Sequence, residues 1–215
     1  MEITGLKERT LAAVAAEPAP TRGELRRRTV LVMALALIAS LLVFLFAGGV
    51  RPTGRPPVLI AGTVAGALML AGLAAWGALG RGGSMLGRPR SLLLAMVIAV
   101  PLSLVLWKLA LSYSVPGMTR VWVERPGWRC FRWSLLMGIG PLVALAILRR
   151  GSEPLHPVAT GAAIGVAAGA GAWVMIDLWC PVAFPLHLLI GHILPLSILA
   201  LVGAVLGRKL LSVRG

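Results

Sequence analysis

The chain has 215 residues, 58% of them apolar and only 13% charged, about half the charged share of an ordinary soluble domain. A soluble domain must cover its surface with polar groups, so this composition excludes that class and points to a bilayer, where each span needs about 20 apolar residues. The net charge of +14 does not indicate nucleic-acid binding, because most Lys and Arg flank apolar runs and form no basic stripe.

In chain order, the first segment is 1–28, the largest part expected outside the membrane. Within it Ile3, Leu6, Leu11 and Val14 approximate one stripe of a short helix, with Lys7, Glu8 and Arg9 largely elsewhere; Pro18 and Pro20 should end it. A helix this short is marginal alone in water. It is firmer with its apolar face on a partner or on the inner leaflet; a disordered leader is the third reading. The first apolar run follows without a convincing cleavage site, so it is read as an anchor and not a signal peptide.

Six apolar segments are predicted as spans: Thr29–Val50, Pro57–Gly80, Ser91–Ser114, Phe131–Leu148, Pro157–Trp179 and Phe184–Leu206. The fourth is the shortest. These lengths suit helices, whereas barrel strands run to about 10 residues with alternating polarity. The predicted fold is therefore all-α: a six-transmembrane-helix domain over 29–206, preceded by the segment 1–28 and followed by a tail, 207–215. Short connections make successive helices antiparallel neighbours.

Orientation follows from the basic residues. With the N-terminus inside, the inner segments hold fourteen: Lys7, Arg9, Arg22, Arg26, Arg27, Arg28, Arg81, Arg88, Arg90, Arg149, Arg150, Arg208, Lys209 and Arg214. The outer segments hold six: Arg51, Arg55, Arg120, Arg125, Arg129 and Arg132. Trp107, Trp122, Trp128, Trp133, Trp173 and Trp179 fall near the outer ends and Trp76 near the inner face, an aromatic belt that agrees with the charge bias. A multi-pass protein of the bacterial inner membrane, with both termini cytoplasmic, is expected.

Gly161, Gly165 and Gly169 recur every fourth residue along the fifth span, as Gly62 and Gly66 do in the second. Such strips let helix backbones approach closely, either within the chain or across a homodimer seam. Pro101 and Pro195 lie inside the third and sixth spans, where each should bend its helix.

Cys130 and Cys180 are the only cysteines, and this topology puts both at the outer face. The fourth and fifth helices form a hairpin with its turn inside, so their outer ends lie at one depth, close enough for a disulfide, whose Cα atoms must sit within about 7 Å. Two unrelated buried cysteines are the alternative. Asp177 precedes Cys180 by one turn; Lys108 lies near the outer end of the third span. Intramembrane charges are costly and find partners, so a Lys108–Asp177 pair is expected, with snorkelling of Lys108 as its rival. His187 lies at the outer start of the sixth span; His192 lies deeper, about 100–140° around an α-helix from it. A metal site of Cys130, Cys180 and His187, with Asp177 as a further candidate, would suit zinc or cadmium; hydrogen-bonded packing histidines are the plainer reading. There is no phosphate-binding glycine loop, no H-E-x-x-H and no nucleophile with a paired base. Neither enzymatic activity nor a resident cofactor is expected.

Gly127-Trp128-Arg129-Cys130-Phe131-Arg132-Trp133, then Trp179-Cys180-Pro181, then His192 with the basic end Arg208-Lys209, resemble the NrsF family. These are six-span negative regulators of extracytoplasmic-function sigma factors. The family pattern has an aromatic residue before His192, where this chain has Gly191. The resemblance implies an anti-sigma factor whose N-terminal segment holds a sigma factor at the membrane, and whose Cys130 and Cys180 receive an oxidant or heavy-metal signal, with His187, Asp177 and His192 as candidate contributors. The rival from another class is a membrane thiol oxidoreductase, which would ordinarily carry a closely spaced C-x-x-C pair; a small transporter would want polar groups at the bilayer midplane.

Overall fold

The computed structural model describes residues 21–50, 54–80, 88–115, 126–150 and 155–211. The N-terminal stripe of Ile3, Leu6, Leu11 and Val14 lies outside the described residues, as do Arg51, Arg120, Arg125 and Trp122. Among the described residues there are six long helices and no strand: α1 (Arg22–Phe46), α2 (Pro57–Leu79), α3 (Arg90–Tyr113), α4 (Trp128–Arg149), α5 (Pro157–Asp177) and α6 (Pro185–Leu210). Each is long and apolar enough to cross a bilayer, which defines a multi-pass helical membrane protein. The fourth segment, the shortest in the sequence, is a full span.

The helix ends follow local chemistry. α1 begins at Arg22, ahead of the apolar run at Thr29, because Thr21 and Glu24 form a capping box. The Thr21 hydroxyl accepts from Glu24 N–H, and the Glu24 carboxylate accepts from Thr21 N–H, satisfying two donors that would otherwise be orphaned. At the far end of α2, the guanidinium of Arg149 on α4 donates to the Ala78 and Gly80 carbonyls at 3.2 and 3.3 Å. That buried arginine caps a neighbouring helix's last turn and complements its dipole. Trp76 at the same end lies 4.2 Å beneath the Arg88 guanidinium.

α5 is the centre of the bundle, buried along most of its length and in contact with every other helix. α6 packs most closely on it. A Cβ added at Gly161 would strike Gly203 O and come within 2.8 Å of Gly207 Cα; one at Gly169 would come within 2.8 Å of the Leu196 side chain. The glycine strip of α5 is thus filled by α6, whose Gly203 and Gly207 meet it backbone to backbone. Gly66 on α2 is covered by the indole of Trp107, whose Nε1 donates to Gly62 O at 3.0 Å. α1 sits at the periphery against α4, where the Ser40 hydroxyl donates to Met137 O at 2.9 Å. Its outward face, including Leu31, Leu35, Leu42 and Leu45, is bare apolar surface, as a bilayer requires.

α6 is not a plain α-helix. Its first turn, Pro185–Leu188, runs into a π-helical turn at Leu189–Ile193, and the α-helix resumes at Leu194. Pro195 follows at once. Lacking an N–H, it cannot bond the Gly191 carbonyl four residues back; the Ser134 hydroxyl of α4 approaches that oxygen at 3.4 Å. The predicted bend at Pro195 therefore takes the form of a widened turn, a feature frequent at functional sites.

Candidate functional site: a buried thiol–imidazole cluster beside a charge triad

The ends of α1, α3 and α5 and the beginnings of α2, α4 and α6 share one end of the bundle, and the polar residues of the interior collect there. Cys130 is in the first turn of α4; Cys180 lies in the loop that follows α5. Both are buried free thiols, with Sγ atoms 3.5 Å apart. The hairpin argument from the sequence anticipated this proximity; the structure brings the sulfurs into direct contact.

The imidazoles complete the group. Cys180 Sγ lies 3.2 Å from His187 Nε2. His187 and His192 have ring centroids 5.6 Å apart, although five residues of α-helix would turn them well away from each other. The π turn is the reason. Its i→i+5 register, seen in Leu194 N–H donating to Leu189 O, widens the turn and swings His192 round towards His187. Trp173 of α5 supports the His192 ring at 4.7 Å. One ligand atom from each of Cys130, Cys180, His187 and His192 lies within 4.8 Å of all the others, and all four residues are buried.

Two glycines make room. Gly127 caps α4 in the left-handed region, at φ 89°, a conformation that glycine adopts without strain. A Cβ there would also lie 2.9 Å from His187 O and 3.0 Å from Gly191 N. Gly191 is the reciprocal contact: its Cβ would meet Cys130 Cβ at 3.0 Å and Gly127 O at 3.1 Å. The departure from the family pattern before His192 is therefore a close backbone crossing, with no room for a ring.

Asp177 takes no part in the cluster. It forms an ion pair with Lys108, whose ammonium also donates to Cys180 O at 3.1 Å. Arg55, just ahead of α2, lies 3.8 Å from the same carboxylate oxygen and donates to the Asp177 carbonyl. Lys108 and Asp177 are 1% and 0% exposed, so Lys108 does not snorkel. Arg55 was counted in the sequence only among the outer arginines, and nothing in its R-P-P context distinguishes it from them.

The two thiols are placed for oxidation to a disulfide, which would require an approach from 3.5 Å to about 2.05 Å. Treating the detergent-solubilised chain with diamide, which accepts two electrons and two protons, should form an intramolecular Cys130–Cys180 bond in most molecules. Both thiols remaining open to alkylation under denaturing conditions would contradict this.

A six-span helical membrane protein with a thiol–imidazole cluster buried at one end is the class that these features define. The model of the NrsF family, negative regulator of sigma F, matches residues 12–212, nearly the whole chain, and the chain belongs to that family. It is accordingly a negative regulator whose family partner is a sigma factor. No curated protein and no solved structure matches the chain.

Proposed function

We propose that this protein is a membrane-bound anti-sigma factor for a sigma factor of the extracytoplasmic-function class, with Cys130 and Cys180 as its sensor. The observation that carries the sensor reading is the direct contact of the two buried sulfurs. In this reading the cluster end faces outwards and the basic ends of α1 and α6 face the cytoplasm. The charge bias of the connecting segments supports that orientation, and the inner membrane of a bacterium is the compartment it fits. The sigma factor is held by the N-terminal segment, with Ile3, Leu6, Leu11 and Val14 as the contact stripe.

Release follows from a change of state at the cysteines. Oxidation removes two electrons and two protons and draws α4 and the α5–α6 loop together. Lys108 and Arg55 bind the backbone at Cys180 and Asp177, so movement of this loop is carried directly to α3 and to the start of α2. A signal shifts such an equilibrium only by the difference in its affinity for the two states, and a pair that is bonded in one and apart in the other provides one. A thiol oxidoreductase is less well supported, since the sulfurs are sealed from any protein substrate.

Co-purification from membranes tests the proposal, with three baits: the full chain, a copy lacking residues 1–20, and the Cys130→Ser/Cys180→Ser variant. The full chain should capture a sigma factor and lose it on oxidation. The shortened copy should capture none, and the serine variant should hold its partner irrespective of oxidant. A full chain that captures no sigma factor would overturn the assignment; a serine variant that releases normally would overturn the sensor.

A further inference from the structure

We infer that Cys130, Cys180, His187 and His192 form a four-coordinate binding site for a soft divalent cation of the zinc–cadmium class. The inference names a ligand for the same cluster, and rests on the sensor reading only for what the ion would signal.

The donor set is the first argument. Two thiols and two imidazoles are the ligands of tetrahedral zinc sites, and they disfavour calcium and magnesium, which take oxygen. Asp177, the nearby carboxylate among the described residues, is held by Lys108 and Arg55. The set therefore differs from the one drawn from the sequence: His192 supplies the fourth donor and Asp177 none.

Geometry is the second. Zinc–sulfur and zinc–nitrogen bonds of about 2.3 and 2.0–2.1 Å place tetrahedral ligand atoms about 3.3–3.8 Å apart. Here the thiol–thiol and thiol–imidazole separations are 3.5 and 3.2 Å, and no pair of the four exceeds 4.8 Å. Closing the widest gap takes a shift of about 1–1.5 Å, within reach of side-chain rotation.

The third argument is an unsatisfied group. His192 is 2% exposed, and neither of its ring nitrogens makes a hydrogen bond of ordinary geometry. A buried imidazole without a partner is destabilising, yet a π turn, a ring contact with Trp173 and a glycine crossing together hold it facing the thiols. A metal–nitrogen bond would satisfy it.

Charge is the fourth. A divalent ion with two thiolates and two neutral imidazoles is electrically neutral, so the complex adds no net charge to a low-dielectric interior. Binding forms two metal–sulfur and two metal–nitrogen bonds and releases the two thiol protons. Oxidation displaces the ion: the two thiolates give two electrons to an oxidant such as diamide, which takes two protons from solvent, the S–S bond forms, both metal–sulfur and both metal–nitrogen bonds break, and the ion leaves as the free dication. Metal-bound and disulfide states therefore exclude each other.

The test is titration of the reduced, metal-free full chain in detergent with Cd²⁺ and Zn²⁺ by equilibrium dialysis, and with Co²⁺ by absorption spectroscopy. One ion per chain is expected, with thiolate charge-transfer bands and the strong visible absorption of tetrahedral cobalt. Diamide pretreatment should abolish binding. Single His187→Gln and His192→Gln variants, each checked for an unchanged gel-filtration profile, should each lose the tetrahedral cobalt spectrum. Failure of the parent chain to bind one ion, or retention of that spectrum in either histidine variant, would overturn the site. No sigma factor is present in this titration, so its failure and the failure of partner capture are separate results.

Discussion

Replacing Asp177 with asparagine should destabilise the protein by about 3–5 kcal/mol, the range for breaking a buried ion pair by removing one partner. Asp177 is the carboxylate that pairs with the buried Lys108 ammonium, so the variant would leave that ammonium with the Cys180 carbonyl in place of its counter-ion. Replacing Lys108 with methionine should cost less, because the Arg55–Asp177 pair remains and no buried ammonium is left without its carboxylate. Both variants break the Lys108–Asp177 bond, so the difference between them reports what each leaves behind. Thermal unfolding in detergent, followed by tryptophan fluorescence, would rank them. Equal losses, or a larger loss for Lys108→Met, would mean that an uncompensated Lys108 ammonium does not dominate at this end of the bundle. Asp177→Asn should also release the Cys180 loop, because Lys108 bridges the carboxylate and the Cys180 carbonyl.

The architecture was legible in the sequence because a bilayer reads composition and length, and both are explicit there. Predicted and observed spans differ by a few residues, most at α1, where the Thr21–Glu24 box extends the helix into charged sequence. The hairpin argument for Cys130 and Cys180 needed only depth, which topology supplies. Two kinds of information were less accessible. Helix rotation was one: every span is apolar nearly all round, so no pattern showed that α5 would be central and mostly buried. The π turn was the other. Reading His187 and His192 on an α-helix separated them, and the inserted register that reunites them has no signature beyond Pro195 nearby. Arg55 belongs with these, because a basic residue near a span is ordinarily a topology marker and its partner lies 122 residues away. The four-residue glycine period, by contrast, was plain, and its two readings parted only when α6 was found lying on it.

That seam carries the other large effect. Gly165→Leu or Gly203→Leu should abolish stable accumulation, whereas Gly171→Leu, where an added Cβ meets nothing within 4 Å, should be tolerated. A Cβ at Gly165 would collide with Leu199 O, and one at Gly203 with Gly161 O and with Gly165 N at 2.9 Å. Overpacking a core typically costs about 1–3 kcal/mol when side chains can rearrange. Here the obstacle is backbone on both sides, so the helices must separate along the whole strip, losing the close packing that holds apolar helices together in lipid. The consequence reaches the cluster, because Cys180 follows α5 while His187 and His192 ride on α6. Yield and monodispersity of a fluorescent fusion, compared across the three variants, would decide. If Gly165→Leu accumulates like Gly171→Leu, α5 and α6 do not meet backbone to backbone, and the strip is free for a second copy of the chain. If Gly165→Leu and Gly203→Leu both fail while Gly171→Leu accumulates, the seam is the rigid platform that keeps three of the four sulfur and nitrogen donors in register.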